Sequence, residues 1–161
     1  MKKDPEKLAA AQQAVNTARI FKGQYINIAT CDPQGAPNVA PIGSMRVVDE
    51  NTAHVLQGFL FQSYKNLERN PKAAFSVCLR PKLGDFFKLF KRSRENAMGY
   101  QIYGELIRVD DSQAAVEQEY RQLASRVPFF LRRLFLRFCR TNLKRLLTFQ
   151  ITGVRAIGAP G

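Results

Sequence analysis

The chain has 161 residues, 45% of them hydrophobic, with a formal charge of +12, one histidine, three scattered cysteines and no tryptophan. That composition is globular and fits one domain with a real core, while excluding a disordered chain, a disulfide framework and a Cys/His zinc site. The start, MKKDPEKLAAAQQAV, lacks the apolar stretch of a secretory leader, and no run approaches the ~20 apolar residues of a spanning helix, so a cytoplasmic protein is expected.

The first predicted element is a helix beginning at Asp4-Pro5, a capping residue followed by proline at the first helical position. Leu8, Ala11, Val15 and Ala18 share one of its faces. QYINIATC (24–31) alternates and reads as a strand. Asp32-Pro33-Gln34-Gly35 then makes a turn, and a second strand runs from about Pro37 to Val48 despite Pro37 and Pro41. A strand interior tolerates proline only at an edge, a rim or beside a groove.

AHVLQGF (53–59) is the third strand, with His54 as an ordinary strand residue. SYKNLERNP (63–71) is a short helix stopped by Pro71. AAFSVCL (73–79) and YQIYGELIRV (100–109) are the fourth and fifth strands, Gly99 and Gly104 marking bulges or close approaches. Asp110, Asp111 and Ser112 are candidate caps for the helix QAAVEQEYRQLA. A basic apolar segment (128–147) follows, and LTFQITGVRAI (147–157) is the last strand. Short strands joined by tight turns, with helices inserted singly, predict a mainly β fold. No phosphate-binding glycine motif is present.

The charge is uneven. Segment 80–94 carries +5 and segment 121–145 carries +8, which leaves the remainder at −1. On a helix, Arg133, Arg137, Arg140 and Lys144 form one stripe, and Leu131, Leu134, Phe135, Phe138, Leu143 and Leu146 cover much of the other side. Three uses compete for this element: packing on the barrel or a partner with a solvated arginine face, a lid attracting an anionic ligand, or an amphipathic helix on an anionic membrane surface. Nucleic acid ranks last, because no binding motif accompanies the charge.

The order INIATCDPQGAPNVAPIGSMRV, NLERNPKAAFSVC, GYQIYGEL resembles the pyridoxamine 5′-phosphate oxidase-like FMN-binding split-barrel family over about residues 20–109. The resemblance implies a six-stranded antiparallel split β-barrel with helices at the N-terminus and in the C-terminal third. It implies a single domain over 1–161, with the barrel core at about 20–109 plus 147–157 and basic helical additions at about 80–98 and 120–146. It also implies a homodimer with FMN in grooves at the interface, and an oxidoreductase or electron carrier of unknown substrate whose chemistry belongs to the flavin.

On this resemblance Ala40, Pro41, Ile42, Gly43 and Ser44 would lie along the flavin ring. Gly58, Gln62, Ser63 and Lys65, helped by Arg46, would meet the phosphate. Many relatives have a Lys or Arg where Ser63 stands; here Ser63 reads either as part of that site or as a helix cap. No catalytic residue is assigned. The oxidases that name the family carry a C-terminal substrate signature with Trp and an Arg-Leu pair, which this chain lacks, so that activity is not transferred. The alternatives are a deazaflavin (F420)-dependent reductase, and a non-enzymatic barrel using its basic helices on an anionic partner or membrane.

Overall fold

The computed structural model describes residues 4–18, 25–58, 60–79 and 98–158. Segment 80–94 and most of the predicted basic addition at 80–98 lie outside the described residues.

Helix α1 spans Pro5–Thr17; Asp4 caps it, its side chain accepting the Lys7 N–H at 3.2 Å. Leu8, Ala11, Ala14, Val15 and Ala18 are buried, so the predicted face is the packed one. Strands β1 (Ile26–Cys31) and β2 (Pro37–Ile42) form the predicted hairpin, with Cys31 opposite Pro37. Asp32 Oδ1 accepts the N–H groups of Gln34 (3.0 Å) and Ala36 (2.8 Å), and Gly35 takes a φ of 86°. That left-handed conformation suits glycine and explains the turn.

β3 (Met45–Val47), β4 (Thr52–Gln57), α2 (Phe61–Arg69), β5 (Lys72–Cys78), β6 (Gly99–Asp110), α3 (Gln113–Ala124), α4 (Arg132–Asn142) and β7 (Arg145–Ile157) complete the order, with a short 3₁₀ turn at Phe129–Leu131 before α4. Among the described residues the strands form one antiparallel sheet of seven, ordered β2-β1-β5-β6-β7-β4-β3.

The expected second strand is two strands. β2 pairs with β1 at one end of the sheet and β3 pairs with β4 at the other, yet only Gly43 and Ser44 separate them. The chain bends there and closes the sheet on itself. Ser44 seals the joint: its Oγ donates to the Leu56 carbonyl at 2.7 Å, and the Leu56 N–H donates to the Ser44 carbonyl at 3.4 Å. Counted as one bent strand, β2 and β3 restore the six expected.

Pro37 and Pro41 sit four apart, in the same phase of β2, so both can occupy the phase that turns away from β1 and cost no ladder bond. Their side chains, like that of Val39, are exposed. The prolines therefore occur in an edge-like strand at the barrel's split.

Inside the barrel, Ile28, Met45, Val55, Phe75, Ile102, Leu147, Phe149 and Ile151 are fully buried, with α1 packed among them. Outside it, a second apolar cluster joins Leu56 and Leu146 to Val116, Tyr120, Leu123 and Cys139 of α3 and α4. Gly104 lies at a register shift in the β6–β7 ladder, and a side chain on Gly99 would run into the Val77 carbonyl, so both glycines serve the sheet as expected.

Candidate functional site

The bend that closes the barrel also forms a wall. Pro41, Ile42, Gly43 and Ser44 line a cavity of about 210 Å³ together with Leu56, Gly58 and Leu60. Its opposite wall is Leu123, Phe135, Phe138, Cys139 and Leu143, residues of α3, of α4 and of the link to β7. The lining is mainly apolar, with the Ser44 hydroxyl already used on Leu56.

A second cavity of about 350 Å³ shares Gly58 with the first and is lined by Gln57, Phe61, Asp111, Lys144 and Arg145. Arg145 is held over the Tyr64 ring at 5.0 Å and lies 3.5 Å from Gln57 Oε1. Two cations and one carboxylate leave this cavity with a net positive charge. α2 begins beside it with Leu60 at the cap position and no side-chain cap bond. At Gly58 a Cβ would lie 2.8 Å from Leu143 Cδ2, so glycine lets the link to β7 approach the end of β4.

The predicted site residues separate into two groups. Pro41, Ile42, Gly43, Ser44 and Gly58 converge on the first cavity. Ala40 faces inward and packs against the barrel core. Ser63, Gln62 and Lys65 do not line either cavity. Ser63 is not the helix cap, because α2 starts two residues before it. It is 0% exposed and accepts a 2.9 Å bond from Asn38 Nδ2, inside a polar cluster that includes Thr30 and Asn66. Gln62 donates to Asn66 Oδ1 at 2.9 Å, and Lys65 is exposed.

Arg46 is bound elsewhere. Its Nε and Nη2 donate to the two Glu119 carboxylate oxygens at 2.6 and 2.8 Å, and His54 Nδ1 lies 2.9 Å from Oε2. Arg46 and His54 are cross-strand partners on β3 and β4, so one buried carboxylate from α3 receives both. Burial alone would raise the Glu119 pKa, but the Arg46 and His54 bonds outweigh it and hold it at about 2. Nearby, Arg126 donates to the Met45 carbonyl at 2.8 Å and to Asn16 Oδ1 at 3.2 Å. Burial, with the Arg46 charge beside it, pulls the Arg126 pKa down to about 10. Asn16 completes the staple by donating to the Val47 carbonyl at 2.8 Å and accepting its N–H at 3.0 Å. This network ties α1, β3, β4 and α3 together.

Sequence reasoning did not single out Leu123, Cys139 or Arg145 for the site; Phe135, Phe138, Leu143 and Lys144 it named only as parts of a basic apolar element, one of whose three possible uses was a lid. α4 also packs differently from the expected stripe. Phe135, Leu136 and Cys139 face the protein, Leu134 is exposed, and Leu146 belongs to β7. A signal for Glu119 did exist: it falls on the Val116–Tyr120–Leu123 face of its helix, where a carboxylate needs a buried partner.

None of the three cysteines is part of a disulfide among the described residues. Burial pushes the Cys139 thiol up to about 11. Because the thiolate is the reactive form, exposed Cys78 should label with a maleimide at neutral pH well before Cys139. Cys139 should label only when denaturant is added; equal rates would mean that the cavity wall opens freely.

The sequence profile of the pyridoxamine 5′-phosphate oxidase family matches residues 13–134. No curated protein sequence matches. Similar solved structures include an FMN-binding protein from Syntrophomonas wolfei subsp. wolfei, 20% identical over 98% of this chain and 90% of that one, with a TM-score of 0.68. The heme storage protein HutZ from Vibrio cholerae is 18% identical over 99% and 97% of the two chains, with a TM-score of 0.52. An F420 reductase is 16% identical over 86% and 92%, with a TM-score of 0.53. At these identities the similarity establishes the fold, and the ligands differ among the three. With a barrel closed at Gly43–Ser44 and a profile match over most of its length, the chain belongs to the pyridoxamine 5′-phosphate oxidase family and has its split-barrel fold.

Proposed function

We propose that the protein is a flavin-class binding protein that takes FMN, with the ring in the apolar cavity and the phosphate in the adjoining basic one, and that it serves as an oxidoreductase or electron carrier. The observation that carries this reading is the convergence of Pro41–Ser44 and Gly58 on one cavity that meets the Lys144–Arg145 cavity at Gly58. The first cavity alone, at about 210 Å³, is below the ~300–1,000 Å³ usual for a complete small-molecule site. It suits a planar ring, and the polar neighbour supplies room and charge for a phosphate tail.

The residues present fit FMN at both ends, though not at the phosphate position first expected. Ser63 is closed off by Asn38, whereas Lys144 and Arg145 stand beside the uncapped start of α2. A helix start with cations nearby favours an anion. When bound, FMN supplies the electron or hydride transfer. The chain's own part is to flank the ring with Pro41, Ile42, Phe135 and Leu143, to exclude water from it, and to hold the anionic tail. The family resemblance adds the expectation that a second copy of the chain completes the groove.

The test is a visible spectrum of the purified protein, followed by titration of the cofactor-free form with FMN and with riboflavin. FMN should bind more tightly than riboflavin by about 10- to 100-fold, the range of one or two charge-assisted bonds. Lys144→Ala with Arg145→Ala should erase that difference, and Lys65→Ala should leave it intact. A colourless protein that binds neither flavin ends the proposal; equal affinities for the two end the phosphate assignment.

A further inference from the structure

We propose that the 3₁₀ turn at Phe129–Leu131 and the outer face of α4 form an interfacial anchor that lays the protein on an anionic lipid surface. Phe129 is 82% exposed, Phe130 69% and Leu134 67%, a concentration of large apolar side chains in six residues. The two phenyl rings pack edge to face against each other, centroids 5.7 Å apart, as a paired wedge at the start of the helix. Arg133 and Arg137 are exposed one turn apart beside Leu134, with no ion pair among the described residues. Residues 121–145 contain no acid at all.

The inner face of α4 is already committed. Phe135, Leu136 and Cys139 pack toward Leu56 and Tyr120, so the helix is fixed to the domain and its outer face is a separate surface. Among the described residues no helix is long and apolar enough to cross a membrane. A helix with aromatic and leucine side chains next to arginines, fixed along its other side, suits lying in the headgroup region, where phenyl rings reach the acyl boundary and guanidinium groups meet phosphates.

Charge decides between the possible occupants. The segment at 80–94 carries +5 and would be repelled. A two-fold contact with a second copy brings the same patch against itself, setting Arg133 and Arg137 against their own counterparts. An anionic bilayer offers both an apolar layer and negative charge, and each basic residue adds to its hold. This inference does not depend on the flavin reading, because none of Phe129, Phe130, Leu134, Arg133 and Arg137 lines the two cavities described above.

The test is co-sedimentation of the full chain with phosphatidylcholine vesicles, with and without phosphatidylglycerol. The protein should sediment with the anionic vesicles, stay in solution with the neutral ones, and be released as salt rises from roughly 0.05 to 0.5 M. Phe129→Ser with Phe130→Ser, and separately Arg133→Glu with Arg137→Glu, should each weaken vesicle binding at least about tenfold. Both variants should keep the wild-type melting temperature, since the side chains are exposed. Wild-type protein that ignores anionic vesicles at low salt overturns the inference. So does a Phe129→Ser/Phe130→Ser protein that binds as the wild type does. If that variant instead turns a wild-type dimer into monomers while vesicles bind neither, the face is a subunit contact and the inference is wrong.

Discussion

Glu119→Ala is expected to destabilise the protein by about 3–5 kcal/mol, the usual cost of leaving a buried charge pair with one partner. The carboxylate is 3% exposed and takes two bonds from Arg46 and one contact from His54, with Arg126 close enough to feel its charge. Removing it leaves the charges of Arg46 and Arg126, which already oppose each other, without the carboxylate that offsets them. Glu119→Gln keeps the shape and some hydrogen bonding, so it should cost less. Urea midpoints of the three proteins give the comparison directly.

The same group sets an acid dependence. Its folded value of about 2 lies below the ordinary 4.5, so its contribution is complete above about pH 4.5 and is lost as pH falls toward 2. A shift of that size corresponds to about 3 kcal/mol. Wild-type stability should therefore fall between pH 4.5 and 2 more steeply than that of Glu119→Gln. Parallel curves would show that the carboxylate is not held in its charged form by these partners.

Phe149→Ala should cost about 3–5 kcal/mol as well, for a different reason. Phe149 is 0% exposed and meets Phe75 edge to face, ring centroids 5.0 Å apart, in the middle of the barrel. Its β7 position places it across from Ala53 on one side and Leu106 on the other. No neighbour can fill the lost ring, because the closed sheet fixes the wall on every side. Against the ~5–15 kcal/mol of a typical domain, this is a large fraction. Phe149→Leu should recover most of it. A loss below about 1 kcal/mol on alanine substitution would mean that the barrel interior is not the packed centre of the fold.

Much of the fold is legible in the sequence because it is written locally. Asp4-Pro5 starts α1, Asp32-Pro33-Gln34-Gly35 turns the hairpin, and Pro71 stops α2; each acts through the backbone within a few residues. Alternation marked β1 because one side of the strand is inside the barrel. Pro41–Ser44 were picked out through the family resemblance, and the proline and glycine there also mark a place where the chain departs from a regular ladder.

Tertiary structure alone decided the rest. No local pattern says that Ile42 and Met45 belong to opposite edges of one sheet, since closure depends on pairings with β1 and β4, which lie outside the segment itself. Nor does the local sequence around Ser63 on α2 reveal that Asn38, on β2, covers that serine. The cations beside Gly58 come from the start of β7, more than eighty residues later in the chain. The sequence by itself determined the elements, the turn and the family, because these depend on backbone preference and periodicity. Which arginine is spent on Glu119, which face of α4 stays outside, and which cations gather beside Gly58 depend on distances between remote segments, and those exist only once the barrel is closed.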